Sequence, residues 1–149
     1  MGDEYTSPGR TVTEADIVIF AGLSGDYKVL HTDAEYMKAS IFGERIAHGL
    51  LGLSIQHGLL ARGMPACADR FLVGLKWKFK GPIKIGDTLH VSGRITAKKD
   101  SGKADWGLVT LDRRVVNQLG EVVQEGETEH MIARRPAQGA ESAARKAGG

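Results

Sequence analysis

Ile46-Ala47-His48-Gly49-Leu50-Leu51-Gly52-Leu53-Ser54-Ile55-Gln56-His57-Gly58-Leu59-Leu60 carries no charge, and none appears between Arg45 and Arg62. Its apolar residues fall on more than one face of a helix, which is the pattern of a buried central helix rather than a surface one. The stretch is too short and too rich in small polar residues to span a bilayer, which takes about 18 or more apolar residues. Gly49, Gly52 and Gly58 each cost about 1 kcal/mol of helix propensity against Ala. Close packing against a sheet is the natural compensation. Gly63-Met64-Pro65 ends the segment.

Downstream the chain reads as strands. Phe71 to Lys80 alternates, with Leu75, Trp77 and Phe79 on one face and Lys76, Lys78 and Lys80 on the other. Gly81-Pro82 breaks that strand and Ile85-Gly86-Asp87 is a turn. Thr88 to Ala97, Trp106 to Val116 and Glu121 to Ala133 follow as further strands. Lys98–Lys103 is a hairpin connection.

Upstream the chain is helical and punctuated. Tyr5 to Arg10 reads as a loop or extended lead-in. Thr13 caps a helix with acids in its first turn, and Ile17, Phe20 and Ala21 form its apolar face; Gly25 ends it. Gly25 to His31 reads as a loop. Thr32 with Glu35 has a capping-box pattern before a short helix through Tyr36 and Met37. Helices followed by antiparallel strands make an α+β domain, with the sheet wrapped around the long helix. Such a curved sheet leaves edges, and pairing them in a dimer removes the liability.

Composition narrows the function classes. The chain has 149 residues, 20 Lys+Arg and 18 Asp+Glu, a net charge of +2 and a hydrophobic fraction of 42%. That suits one domain over 1–136, with a disordered tail over 137–149 that is rich in Ala, Gly and charge. The near-balanced charge argues against nucleic-acid binding by bulk electrostatics, and no run is apolar enough for a membrane. One cysteine, Cys67, makes neither an internal disulfide nor a multi-cysteine metal site, and an inert role is expected for it. The acidic start lacks a secretory apolar stretch, so a cytoplasmic setting is expected.

Two places carry candidate chemistry. Asp26 and His31 lie five residues apart, and a carboxylate with an imidazole can hold and activate a water. By spacing alone, such a pair is more often turn chemistry beside a surface histidine. His48-Gly49 stands where the buried helix begins. Helix N-termini present unpaired N–H groups and favour negative charge, and a glycine there lets a substrate oxygen approach its N–H. Tight packing is the plainer reading of that glycine. His57, on the buried helix, reads as a packed or hydrogen-bonded histidine, His90 and His130 fall in strands without a partner motif, and Trp77 and Trp106 read as core or sheet aromatics.

Together these segments resemble a known family. Gly25-Asp26-Tyr27-Lys28-Val29-Leu30-His31, then Phe42-Gly43-Glu44-Arg45-Ile46-Ala47-His48-Gly49, is similar to the MaoC-like dehydratases, which include the (R)-specific enoyl-CoA hydratases. Their pattern reads G-D-x-N-P-x-H followed by F-G-x-x-I-x-H-G. The order of elements agrees from about Gly9 to Arg135, and the specific likeness lies between Phe20 and Leu53. The resemblance implies a hot-dog fold, a homodimer or dimer-based oligomer, and a part in fatty acid metabolism. It implies reversible hydration of a trans-2-enoyl-CoA to a (R)-3-hydroxyacyl-CoA. Asp26 and His31 would be the catalytic pair. Gly49, with His48 beside it, would bind the thioester carbonyl, and no metal or other cofactor would be needed. Lys76, Lys78 and Lys80 offer cations for the CoA phosphates.

One departure stands inside the motif. The family's Asn-Pro is Lys28-Val29 here. Proline stiffens the loop, and the asparagine amide can hold its neighbours. A lysine turned inward would lower the Asp26 pKa and compete for its oxygens. A non-catalytic acyl-CoA-binding protein is the alternative expectation, and thioester hydrolysis a weaker third.

Overall fold

The computed structural model describes residues 2, 4–63 and 70–134. Cys67, the Met64-Pro65 helix stop and the tail expected over 137–149 lie outside these residues. Six strands form an antiparallel sheet around one long helix. The elements run β1 (Glu4–Thr6), β2 (Arg10–Thr11), α1 (Glu14–Ser24), α2 (Val29–Thr32), α3 (Ala34–Lys38), α4 (Gly49–Gly63), β3 (Arg70–Phe79), β4 (Thr88–Asp100), β5 (Trp106–Val116) and β6 (Val122–Ala133). The strand order is β1-β4-β5-β6-β3, with β2 also paired to β4.

Local chemistry sets the boundaries of α1. The Thr13 side chain accepts from Asp16 N–H, and the Asp16 carboxylate accepts from Thr13 N–H at 2.9 Å. This reciprocal box satisfies two donors that the first turn would otherwise leave unpaired. Gly25 closes the helix with φ 74°, a left-handed conformation suited to glycine, and its N–H reaches Ala21 O at 2.9 Å. Ile17 and Ala21 are buried, as their spacing requires.

Three upstream expectations change. The lead-in forms β1 and β2, because tertiary partners on β4 supply backbone pairing that a local reading cannot see. A four-residue helix, α2, replaces part of the loop read over Gly25 to His31. Asp33, not Thr32, caps α3, accepting from Tyr36 N–H at 2.8 Å. The Thr32 hydroxyl is occupied instead, donating to the Tyr27 and Lys28 carbonyls at 3.1 Å each.

The central helix begins at Gly49 rather than Ile46. Ile46 forms an isolated antiparallel bridge with Lys84, and Ala47 N–H donates to Ile83 O at 2.8 Å, so these residues are extended. Leu51, Ile55 and Leu59, at i, i+4 and i+8, are buried against Val91, Val115 and Val123 of the sheet. Burial stabilises by about 1.5–3 kcal/mol for each such side chain. The all-round burial expected of α4 holds on the sheet side only. Leu50 is 57% exposed, and Ser54 and His57 are exposed on the far side.

The glycines of α4 have separate reasons. A Cβ on Gly52 would lie 2.5 Å from Ile83 Cδ1 and closer still to the Gln124 amide nitrogen, whereas a Cβ on Gly58 meets nothing within 4 Å. Gly52→Ala therefore lowers stability by about 1–3 kcal/mol, the usual cost of overpacking. Gly58→Ala raises it by about 0.5–1 kcal/mol through helix propensity. Urea unfolding of both variants at one protein concentration checks the opposite signs.

Candidate active site

Asp26 follows the Gly25 cap directly, where the chain leaves α1. Its backbone N–H donates to Ser24 Oγ at 3.2 Å, and its Oδ1 accepts from Lys28 N–H at 3.4 Å. The chain then enters α2, which carries His31. Two hydrogen bonds join α2 to the residues just before α4. Ile46 N–H donates to Leu30 O at 3.1 Å, and His31 Nδ1 lies 2.7 Å from Ile46 O. These links bring the two sequence motifs together.

The Ile46 contact assigns the His31 tautomer. A carbonyl only accepts, so Nδ1 carries the proton and Nε2 presents a lone pair. That lone pair faces Asp26, with Nε2 and Oδ2 4.0 Å apart. The gap is too long for a direct hydrogen bond. A water about 2.8 Å from each atom would subtend an angle of about 90°, close to what a water accommodates.

The two groups are tuned in the same direction. Burial lowers the His31 pKa, the Ile46 carbonyl raises it, and His48 and Lys28 add to the lowering; the net result is below the ordinary imidazole value. Partial burial pushes the Asp26 carboxyl up. The hydrogen bonds and charge of Lys28, with His31, outweigh that and hold it below the ordinary carboxylate value. Asp26 thus stays ionised and His31 unprotonated around neutral pH, the state needed to accept a proton.

His48 sits behind this pair. Its ring stacks on His31 with centroids 3.7 Å apart and planes 24° from parallel, and Phe20 closes its other side at 5.1 Å. Its Nε2 donates to the Asp26 backbone carbonyl at 2.9 Å, and it is 3% exposed. The sequence reading placed His48 with Gly49 as a substrate contact. The structure seats its side chain with Asp26 and His31 instead, because the bend before α4 turns the ring inward. One ligand-type atom from each of Asp26, His31 and His48 lies within 4.8 Å of the others. Stacked imidazoles send their in-plane lone pairs along separated planes, and a metal ion needs them to converge at about 2.0–2.1 Å.

Gly49 opens α4, and its N–H is among those without an intrahelical partner. Gly49 and His31 line one cavity of about 430 Å³, together with Leu30, Phe42, Phe79 and Gln124. A Cβ on Gly49 would come 2.9 Å from the Phe79 ring, so the tight-packing reading of this glycine holds.

Gln124 is a neighbour of Gly49 that the sequence reading did not single out, whereas Trp77 packs against the core as expected of it. Gln124 is 1% exposed and donates from Nε2 to Gly49 O at 2.9 Å, while its Oε1 accepts from Trp77 Nε1 at 3.0 Å. The signal is a break in strand alternation. Val123 and Gln124 are both buried where the β5–β6 register shifts at Val115/Val116.

The other candidates disperse. Lys76 and Lys78 stand opposite Glu127 and Glu125 on the outer sheet face, away from the inward Trp77. They are not brought to the cavity. Lys80 does line it and pairs with Glu125 at 3.4 Å. His130 is fully buried, 2.6 Å from Arg113 through Nε2, and His57 lies on the exposed side of α4. Among the described residues no helix is long and apolar enough to cross a membrane.

Comparison with known proteins bears on this geometry. A family model described as MaoC like domain matches residues 1–116. A (R)-specific enoyl-CoA hydratase from Rhodospirillum rubrum is 35% identical over 132 residues, covering 89% of this chain and 88% of that protein. One from Aeromonas caviae is 32% identical over 113 residues, covering 76% and 81% respectively. The crystal structure of a MaoC-like dehydratase from Rhodospirillum rubrum superposes with a TM-score of 0.82 at 32% identity, over 91% of this chain and 94% of that one.

The lowered His31 pKa has a consequence for stability. Just below about pH 6.5, the ordinary imidazole value, the unfolded chain binds this proton and the folded one does not. Stability therefore falls as pH drops from about 6.5 through the folded midpoint. Denaturant unfolding across this range reads the slope, and His31→Asn removes its part of it.

Proposed function

Because the chain belongs to the family of MaoC-like domains, we propose that it hydrates a trans-2-enoyl-CoA thioester to a (R)-3-hydroxyacyl-CoA. The observation that carries this reading is the pairing of Asp26 Oδ2 and His31 Nε2, 4.0 Å apart, with His31 and Gly49 lining one cavity. His31 Nε2 accepts a proton from the bridging water while Asp26 orients it and offsets the charge that His31 gains. The water oxygen forms its bond to C3 as the C2=C3 π electrons move toward the thioester carbonyl. Negative charge then grows on the carbonyl oxygen. The Gly49 N–H and the α4 N-terminus stabilise charge at that place, more in the transition state than in the ground state.

The proton held by the pair then passes to C2, which completes the addition. The same steps in reverse are a dehydration, and reversibility is part of the proposal. No step requires a metal or a redox group, since the electron sink is the thioester carbonyl and the proton carrier is the pair itself. The expected CoA contact from Lys76, Lys78 and Lys80 narrows to Lys80, the one of the three that lines the cavity. A cytoplasmic setting suits a CoA-ester substrate.

We also propose that two copies pair along β3. This strand ends the sheet and is bonded only to β6 among the described strands. Phe71, Leu75 and Phe79 are 56%, 48% and 54% exposed, and Leu50 of α4 adds to this apolar side. An uncovered edge of this kind is stabilised by a second copy.

Asp26→Asn and His31→Ala should each lower kcat for a short trans-2-enoyl-CoA by roughly 10²–10⁴-fold with the fold retained. Loss of enoyl absorbance measures the rate, and chiral analysis of the product reads the stereochemistry. An (S) product, or release of free CoA thiol, would sink the reading. Light scattering should give twice the chain mass of 16.0 kDa, and Leu75→Lys should lower it toward the monomer.

A further inference from the structure

We propose that Lys28 is a positioning residue for the Asp26 carboxylate, gripping both of its oxygens so that Oδ2 is presented to His31. This deepens the hydratase reading and rests on it for its catalytic meaning. Lys28 N–H donates to Asp26 Oδ1 at 3.4 Å, and Lys28 Nζ donates to Asp26 Oδ2 at 3.3 Å. The oxygen held by the ammonium is the one that lies 4.0 Å from His31 Nε2.

Lys28 is also tied to the other member of the pair. Its carbonyl accepts from His31 N–H at 2.9 Å and from Thr32 Oγ1 at 3.1 Å. One residue therefore touches the Asp26 carboxylate twice and α2 twice, through the His31 backbone N–H and the Thr32 hydroxyl. Its φ of −55° and ψ of 147° place it as the cap of α2 without a side-chain cap bond, which leaves the side chain free to turn back to Asp26. The segment between Asp26 and His31 holds no proline, so no ring stiffens it. The ammonium replaces a covalent constraint with an electrostatic one.

The charged surroundings are few. Among the described residues, loop residue Lys28, His31 of α2 and His48 before α4 are the titratable groups facing Asp26, and α1 contributes the uncharged Ser24 hydroxyl and the Phe20 ring against His48. Of these, Lys28 bears the fixed positive charge. Its side chain is 71% exposed, so added salt weakens the grip.

Lys28→Met keeps the backbone N–H and the aliphatic stem and removes only the ammonium. Titration of Asp26 and His31 by NMR in the unliganded protein tests the grip without reference to turnover. Both midpoints should rise in Lys28→Met, return in Lys28→Arg, and move toward the Lys28→Met values when the parent is titrated in high salt. With enoyl-CoA, Lys28→Met should lower kcat roughly tenfold with little change in KM, as expected for a misplaced catalytic group, and Lys28→Arg should recover it. Superimposable titrations of parent and Lys28→Met overturn the proposal. The expected titrations from a parent that turns over no enoyl-CoA would instead overturn the hydratase reading and leave the grip standing.

Discussion

Residues 46–49 are pinned from two sides, and the rest of the site depends on that. Ile46 donates its N–H to α2 and accepts from His31, while the next residue, Ala47, donates to Ile83. The extended backbone cannot turn helical until Gly49, so the α4 N-terminus falls at the wall of the cavity. The same carbonyl that stops the helix from starting earlier fixes the His31 tautomer. Backbone satisfaction and catalytic geometry are thus one set of hydrogen bonds.

Packing around this point leaves little freedom. Gly49 meets the Phe79 ring, and Gly52 meets Ile83 and Gln124. Each lowers helix propensity, and each admits a contact that a methyl group would block. Gln124 then uses both ends of its amide, one on the Gly49 carbonyl and one on the Trp77 indole, so a polar group is buried at low cost. His31 and His48 are both buried in their stack, and that burial is the leading cause of the lowered His31 pKa.

The sheet divides its work by face and by edge. On the outer face, Lys76 and Lys78 oppose Glu127 and Glu125 across the strands, and these pairs contribute little beyond solubility. The inner face holds the aliphatic residues that cover α4. At the β3 end, apolar side chains stay exposed, so the far side of α4 and the free strand edge share one uncovered region.

Much of this was legible from residue order. The Thr13 and Gly25 caps, the charge-free run after Arg45 and the alternation of β3 are local signals, and local signals survive into the structure with boundaries moved by a few residues. The two motifs pointed to Asp26, His31 and Gly49. The misses are also physical. Thr32 lost its capping role because nearby carbonyls took its hydroxyl, and β1 and β2 exist only because β4 lies beside them. The packing of the His48 ring on His31 was not legible, because the direction of a ring at a helix entry depends on what packs there. Sequence by itself determined the α+β class, since periodicity and capping are short-range properties, while Asp26, His31 and Gly49 were singled out by the resemblance that the two motifs carry. Tertiary structure alone decided the His31 tautomer, the place of His48, the Lys28 contact with Asp26 and the role of Gln124. Each of these depends on where atoms distant in the chain or free to rotate come to rest once the core has packed.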